Sequence, residues 1–298
     1  MLKNIKSLIK GNPSVRHLDA KGKSDAMDPL VPAETKKIAI TSTKYRVASC
    51  QSTGRERAHN EDTLLVLNCF LGGLDTPTYF GIFLVADGMG GHQSGEVASK
   101  LAAQASSQYL LERVYQSYLF EQKSFTSSEV KQWVIEAVGE AQTRILQHVP
   151  GGGTTLTLVL TLGEDFYLAH VGDSRLYLVD KEGTLSLKTR DHSLVKRLID
   201  LGEITESEAG IHPHRNVLYR ALGQSDPFEP DTEVFSIGPG ERLLICSDGL
   251  WGMVKADDLT QMLNSDQDLD ELACTLVNAA NEAGGSDNIS VVLVERLG

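Results

Sequence analysis

Strand-like runs in this chain come in groups, and helix-like stretches come between those groups in blocks. That order limits the fold more than any other feature. Tyr45-Arg-Val-Ala-Ser-Cys50, Thr63-Leu-Leu-Val-Leu67 and Tyr79–Ala86 are rich in β-branched and aromatic residues, and Gly72–Pro77 reads as the turn between the last two. Helical spacing follows Gly95, with Val97, Leu101, Ala105, Tyr109 and Leu110 recurring on one side. Thr126-Ser-Ser-Glu129 has the form of a capping box, and Val130, Trp133, Val134, Ala137, Val138, Ala141 and Ile145 continue it as an apolar stripe. Strands resume over 154–160, 166–171, 176–179 and 242–246. Two short helices are expected over 256–264 and 269–282, and Ile289–Val294 closes the chain as a strand. A repeated strand–helix–strand unit would signal a parallel sheet. Blocks of this kind signal antiparallel sheets with helices packed outside, an α+β chain.

With 298 residues, 41% hydrophobic, the chain can bury a sizeable core. Residues 1–43 look separate, a disordered basic tail ahead of a domain over 44–298. Within the tail, Leu2, Ile5, Leu8 and Ile9 share one helical face among lysines. Two readings fit residues 1–10: a frayed basic terminus, or a short amphipathic helix that docks weakly on a membrane or a partner. Residues 1–44 carry nine Lys or Arg against four Asp or Glu; of the chain's 28 basic and 40 acidic residues, the rest carry 19 and 36. An acidic body suits a divalent-cation enzyme and argues against nucleic-acid binding. Cys50, Cys69, Cys246 and Cys274 form no CxxC pair, and no secretory leader is visible, so a reducing, cytoplasmic setting is expected. No apolar run approaches the roughly 20 residues of a spanning helix.

Chemistry points to Asp62, Asp87, Asp248 and Asp287. Their segments are Arg57-Ala-His-Asn60-Glu61-Asp62, Asp87-Gly88-Met-Gly90-Gly91, Ser247-Asp248-Gly249 and Ser286-Asp287-Asn288. The first is expected just before a β-like run, and the other three at or just past the end of one. Oxygen-only ligand sets select Mg²⁺, Mn²⁺ or Ca²⁺, while zinc prefers His and Cys. These acids are too dispersed for an EF-hand. Brought together by a sandwich, they suggest a two-metal site with ions about 3.5–4 Å apart, which acidifies a water for attack. Arg57 beside such a site suits bidentate phosphate binding, against the plainer reading of a surface ion pair with Glu61. Together they point to phosphomonoester hydrolysis. A cysteine nucleophile needs arginine six residues on, where this chain has Glu56, Asp75, Gly252 and Ala280. No Gly-x4-Gly-Lys loop occurs either.

The ordered set Arg57-x-x-Asn60-Glu61-Asp62, Asp87-Gly88-Met-Gly-Gly91, Gly153-Thr-Thr155, Gly172-Asp173-Ser-Arg175, Asp191-His-Ser193, Arg220-Ala-Leu-Gly223, Ser247-Asp248-Gly249 and Ser286-Asp287-Asn288 resembles the PPM/PP2C family of metal-dependent Ser/Thr protein phosphatases over about residues 44–298. The Asp-Gly-Met-Gly-Gly form looks bacterial. The resemblance implies a four-layer αββα sandwich, two antiparallel sheets flanked by helix pairs, with a dinuclear metal site at one end. It implies two Mn²⁺ or Mg²⁺ ions, with Asp87 bridging them and positioning the attacking water, and the Gly88 carbonyl, Asp62, Asp248 and Asp287 as further ligands. Asp173 resembles the residue that holds a third, weaker ion with Asp248; a turn residue paired with Arg175 is the plainer reading. Glu61 and Asn288 would orient ligands and waters. The implied partners are phosphoprotein substrates and a Ser/Thr kinase, with the chain a monomer.

Met89 stands where some relatives carry a histidine proposed to protonate the leaving alcohol. His92, His192 or a metal-held water would have to serve instead. Residues 190–221 resemble the family's flap, with short helices expected over Leu194–Leu201 and within 202–209. Lys196, Arg197, His212, His214 and Arg215 there are candidates to meet phosphopeptides, or simply a solvated face. Two other functions remain open at this point: a non-catalytic phosphoprotein-binding module, and a small-molecule phosphoesterase.

Overall fold

In the computed structural model, residues 44–71, 78–90, 93–120, 124–224 and 228–298 are described. The expected basic tail with its amphipathic helix, the Gly72–Pro77 turn, Gly91 and His92 lie outside them.

In chain order the elements are β1 (Tyr45–Ser52), β2 (Asp62–Leu71), β3 (Thr78–Met89), α1 (Gln93–Arg113) with a π-helical extension over Val114–Phe120, α2 (Ser127–His148), β4 (Gly153–Thr154), β5 (Leu156–Leu162), β6 (Asp165–Val171), β7 (Arg175–Val179), β8 (Leu185–Leu187), α3 (Leu194–Asp200), α4 (Glu206–Gly210), β9 (Asp231–Ser236), β10 (Arg242–Cys246), α5 (Asp248–Trp251), α6 (Ala256–Leu263), α7 (Leu269–Glu282) and β11 (Ile289–Arg296). One sheet runs β1-β11-β10-β7-β8; the other runs β2-β3-β5-β6-β9, with β4 paired to β3. Among the described strands, every ladder is antiparallel.

The period of two along each strand shows why the layers stack as they do. In β3, Phe80, Ile82, Leu84 and Ala86 pack against α1 and α2, while Phe83 and Val85 point between the sheets. In β11, Ile289, Val291 and Leu293 pack against α5 to α7, while Val292 and Val294 meet the other sheet. β10 divides its residues the same way. Strands buried on both faces must be apolar throughout, which is why these runs were visible in sequence. The expected αββα order is present.

The α2 stripe is buried as expected, and Thr126 and Glu129 cap each other's backbone N–H groups. For α1 the expectation needs correcting. Val97 is 48% exposed, and the buried face is Ala98, Ala102, Ala103, Ala105 and Leu110 with Ser99 and Ser106. Leu101 and Tyr109 pack against the same core, so only Val97 departs from the expected set, and the small side chains beside them let this helix lie close on β2 and β3. The sequence reading also passed over β8 and β9. Both are edge strands, and β9 (DTEVFS) carries few apolar residues. Among the described residues, no helix is long and apolar enough to cross a membrane.

Candidate active site

The strand ends at one end of the sandwich carry the acids. Asp62 opens β2 and stands directly opposite Asp87 on β3. Asp248 follows the end of β10 at the first turn of α5, and Asp287 comes just before β11, the strand that pairs with β10. The expectation that Asp287 would follow a strand was therefore wrong. β11 is antiparallel to β10, so its start lies where β10 ends, and Asp287 still reaches the same place. Asp173 sits in the β6–β7 crossover between the sheets. Its predecessor Gly172 needs its φ of +107° and its missing Cβ, which would run into the Thr155 side chain.

Arg57, Glu61, Asp87, Gly88, Met89, Asp173, Asp248, Asp287 and Asn288 line one open cleft of about 370 Å³. Asp62 lies beneath it, 8% exposed. Asp87 and Asp248 come from different sheets, line the same cleft and act on each other's charge, so the two sheets' acids converge. Burial, with the carboxylates of Asp62, Asp248 and Asp173 nearby, holds Asp87 well above the usual carboxylate range. Burial pushes Asp62 up to about 7, against an opposing hydrogen bond from Ser290. Burial together with Asp287 pushes Asp248 up to about 6. Asp173 is also raised, by burial and then by Asp248 and Asp191. Like charges packed this way are unfavourable unless something positive joins them.

Two atoms show where that charge is missing. Asp62 Oδ1 and Asp248 Oδ1 are buried and accept no hydrogen bond. A buried carboxylate oxygen left bare costs free energy, and a hard cation is its natural partner. Among the described residues, no three His, Cys, Asp or Glu side chains close directly on one point. The donor set therefore fits ions that keep several waters and take only some ligands from protein, as Mg²⁺ and Mn²⁺ do. It does not fit a closed zinc cage.

Backbone contacts hold the cluster in place. Asp87 N–H donates to Thr155 Oγ1 at 3.0 Å, and Asp87 O accepts from Thr155 N at 2.9 Å and Thr154 Oγ1 at 2.8 Å. Gly88 N–H donates to Glu61 O at 3.2 Å, and a Cβ on Gly88 would collide with the carbonyls of Glu61 and Gly95. Packing against the start of α1 thus explains this glycine. Asn288 joins three segments: its Oδ1 accepts from Glu61 N–H at 2.7 Å, and its Nδ2 donates to Thr53 O and His59 O at 2.8 and 2.9 Å. Asp62 Oδ2 accepts from Ser290 Oγ at 2.7 Å, and Gln51 Nε2 donates to that same hydroxyl at 2.9 Å.

Arg57 donates to Asp287 Oδ2 at 2.7 Å, with its side chain 51% exposed at the cleft. It is not paired with Glu61, the plainer alternative. Arg175 likewise pairs with Asp191, at 3.0 and 2.7 Å, rather than with Asp173. Its guanidinium stacks 3.6 Å from the Trp251 ring centroid, and the Trp251 indole N–H donates to Asp173 O at 3.0 Å.

His192 is not placed to protonate a leaving group. Its Nδ1 accepts from Gly172 N–H at 3.0 Å, which puts the ring proton on Nε2, 3.1 Å from Asp231 Oδ2. Burial also holds it below the usual histidine range. A second groove, between α3, α4 and α5, adjoins the cleft through Asp173, Asp248 and Asp287. Lys196 and Arg215 line it. Arg197 instead lies over Tyr219, and His212 and His214 pair with each other.

Sequence reasoning missed Ser290, Gln51, Trp251 and the cleft-lining His59. Ser290 had a signal, being a hydroxyl inside a strand apolar on both faces. Trp251, three residues after Asp248, had none.

The protein phosphatase 2C family profile matches residues 58–294. The serine/threonine phosphatase stp of Listeria welshimeri is 38% identical over 82% of this chain and 92% of its own length. The serine/threonine phosphatase structure from S. agalactiae superposes with a TM-score of 0.72 at 31% identity, covering 84% of this chain and 99% of that one. The catalytic domain of the phosphatase PstP, solved in complex with two manganese ions, superposes at 0.69 with 30% identity over 85% of this chain and 99% of its own. With its two antiparallel sheets, flanking helices and acid-lined cleft, the chain belongs to the PP2C family of protein phosphatases.

Proposed function

We infer that this cleft hydrolyses phosphoserine and phosphothreonine in proteins, with two Mn²⁺ or Mg²⁺ ions, and so opposes a Ser/Thr kinase. The observation that carries the reading is the convergence of Asp62 and Asp87 from one sheet with Asp248 and Asp287 from the other, two of them with a buried oxygen that nothing satisfies. We assign Asp62, Asp87, Asp248, Asp287 and the Gly88 carbonyl as the residues that would hold the ions, with Asp87 at the centre of the set. Asp173 with Asp248 would hold a third, weaker one. When bound, such ions supply Lewis acidity toward the phosphoryl oxygens and acidify an attacking water.

The chain's own groups do the rest. Arg57, at the rim and half exposed, swings from Asp287 to grip two phosphoryl oxygens and offset their developing charge. Glu61 and Asn288 fix the loop that presents Asp62. Among the described residues, the cleft offers no unengaged thiol or hydroxyl. Its lining holds no cysteine, and its hydroxyl, Thr155 Oγ1, already accepts from Asp87 N–H and bonds Ser174 Oγ at 2.7 Å. With the aspartates assigned to the ions, the attacking group is water, without a phosphoenzyme. Met89 lines the cleft without a proton to give, so the leaving alcohol takes its proton from elsewhere. We take 44–298 as the phosphatase domain and 190–221 as its flap, with Lys196 and Arg215 meeting the peptide beside the phosphoresidue.

The reading is tested by phosphate release from a phosphothreonine peptide and from a panel of small phosphomonoesters. Release from the peptide should need Mn²⁺ or Mg²⁺, stop with EDTA and exceed the rate on metabolites. A faster rate on a metabolite would reassign the substrate, and metal-independent release would overturn the mechanism.

A further inference from the structure

Two of the four cysteines face each other well away from the cleft. All four are free thiols. Cys50 lies near the end of β1, half-buried against the α6–α7 side of its sheet. Cys274 lies on α7 and is exposed.

The helix is anchored along the strand at both ends. Arg46 Nη2 donates to Asp268 Oδ2 at 2.6 Å, and Asn281 Nδ2 donates to Ser52 Oγ at 3.1 Å. The strand from Arg46 to Ser52 spans roughly 20 Å. The helix from Asp268 to Asn281 spans roughly 20 Å as well. α7 therefore runs alongside β1 in the same direction, and Arg46, Ala48, Cys50 and Ser52 form the strand face that meets it. Cys50 and Cys274 each fall inside the span between those anchors, and the two thiols lie close enough for each to influence the other's ionisation.

We propose that Cys50 and Cys274 are a reversible oxidative crosslinking site that straps α7 to β1. Peroxide is the oxidant. Cys274, the thiol open to solvent, takes up one oxygen to give a sulfenic acid and releases one water. The Cys50 thiol then attacks that sulfur; the S–O bond breaks, the S–S bond forms, and the Cys50 proton leaves with the sulfenic oxygen as a second water. In total, two thiols and one hydrogen peroxide give one disulfide and two waters. Burial, and then the Cys274 thiol itself, push Cys50 up to about 11, which disfavours it as the first thiol to react. That order of events makes Cys274 the sensor and Cys50 the resolving thiol. In a reducing compartment such a bond is transient, and thiols restore both groups.

The location gives the strap a consequence. β1 runs into the loop of Arg57, and α7 runs into the loop of Asp287. Those loops are already joined by Arg55 N–H to Gly285 O at 2.7 Å and by the Arg57–Asp287 pair. A crosslink at the root of both segments should slow local opening there.

The test uses the full chain, treated with hydrogen peroxide under non-reducing conditions. Intact mass should fall by the two hydrogens of one disulfide, a peptide joining Cys50 to Cys274 should appear, and dithiothreitol should reverse both. Amide exchange at Arg55 should be slower in the oxidised form. Cys274→Ser, an exposed change that leaves the fold intact, should abolish the link. Cys50→Ser should leave Cys274 as a sulfenic or sulfinic acid, trapped with added oxygen mass. Disulfide between two chains, oxygen addition to the wild type without an internal link, or unchanged exchange at Arg55 in the linked form would each overturn the proposal.

Discussion

Two polar clusters sit on either side of Gly172 and Asp173, and they are made on opposite principles. In the first, Asp62, Asp87, Asp173 and Asp248 are all acids, all pushed above their ordinary range, and two of their oxygens are bare. In the second, each group has a partner. Thr157 Oγ1 and His170 Nδ1 are 2.9 Å apart, His192 bridges Gly172 N–H and Asp231, and Arg220 Nη1 donates to Asp231 Oδ1 at 2.7 Å. Arg175 and Asp191 join it as a bidentate pair. The second cluster is complete in the chain alone and fixes the root of 190–221. The first is complete only with cations from outside. Buried charge that is self-sufficient reads as support, and buried charge left unbalanced reads as function.

The largest effect expected from that contrast is on turnover. Asp87→Asn should lower phosphopeptide hydrolysis by a factor on the order of 10³ or more, the scale of losing charge stabilisation at a transferring group. Its circular dichroism should match the parent, because the variant relieves repulsion. Near-normal Mn²⁺-dependent rates would break the contrast.

Next comes stability, on the other side. Asp191→Ala strands the Arg175 guanidinium, whose side chain is 23% exposed, and should cost about 3 kcal/mol in urea unfolding. A cost below about 1 kcal/mol, the range of surface pairs, would show that the second cluster carries little.

Arg57→Ala should be smaller and confined to function. Its kcat/KM should drop about 10- to 100-fold, as for losing hydrogen bonds to a charged group. Urea stability should barely move, since its pair with Asp287 is exposed. A marked loss of stability would make Arg57 structural.

The smallest effect is on melting, and it carries opposite signs in the two clusters. In chelated protein, Asp62 at about 7 and Asp248 at about 6 lie above their unfolded range near 4. Their stabilising contribution is full below pH 4 and is lost as pH rises toward 7. The second cluster runs the other way. Burial lowers His170 to about 3 and also lowers His192, so their contribution is full above the ordinary histidine range and is lost as pH falls through it. Melting of the chelated Asp62→Asn variant should therefore flatten the upper part of the decline, toward pH 7, while the Asp248 part and the decline toward acid remain. Unchanged profiles would contradict the assignment.

The same contrast explains what could be read from sequence. The doubly buried strands β3, β5, β10 and β11 announced themselves as apolar runs, and the α2 stripe and its capping box were equally plain. β9 did not, because an edge strand needs few apolar residues. In α1 the spacing marked Leu101, Ala105, Tyr109 and Leu110 on the packed side, while the alanines and serines of the same face carried no signal. The acids of the cleft were legible because each sits in a short segment of unusual composition. Their surroundings were not. Which nitrogen of His192 is occupied, or that Arg57 reaches Asp287 instead of Glu61, depends on chain crossings that no local pattern records.

The central claim is that the bare carboxylate oxygens await divalent cations. Calorimetric titration of Mn²⁺ into chelated, dialysed protein at pH 6, in two buffers of different ionisation enthalpy, tests it most directly. The account predicts two bound ions with proton release, because Asp62 and its neighbours are partly protonated at that pH, and loss of binding in the Asp62→Asn/Asp248→Asn double variant. Equal binding by that variant, or binding with no protons released, would contradict it.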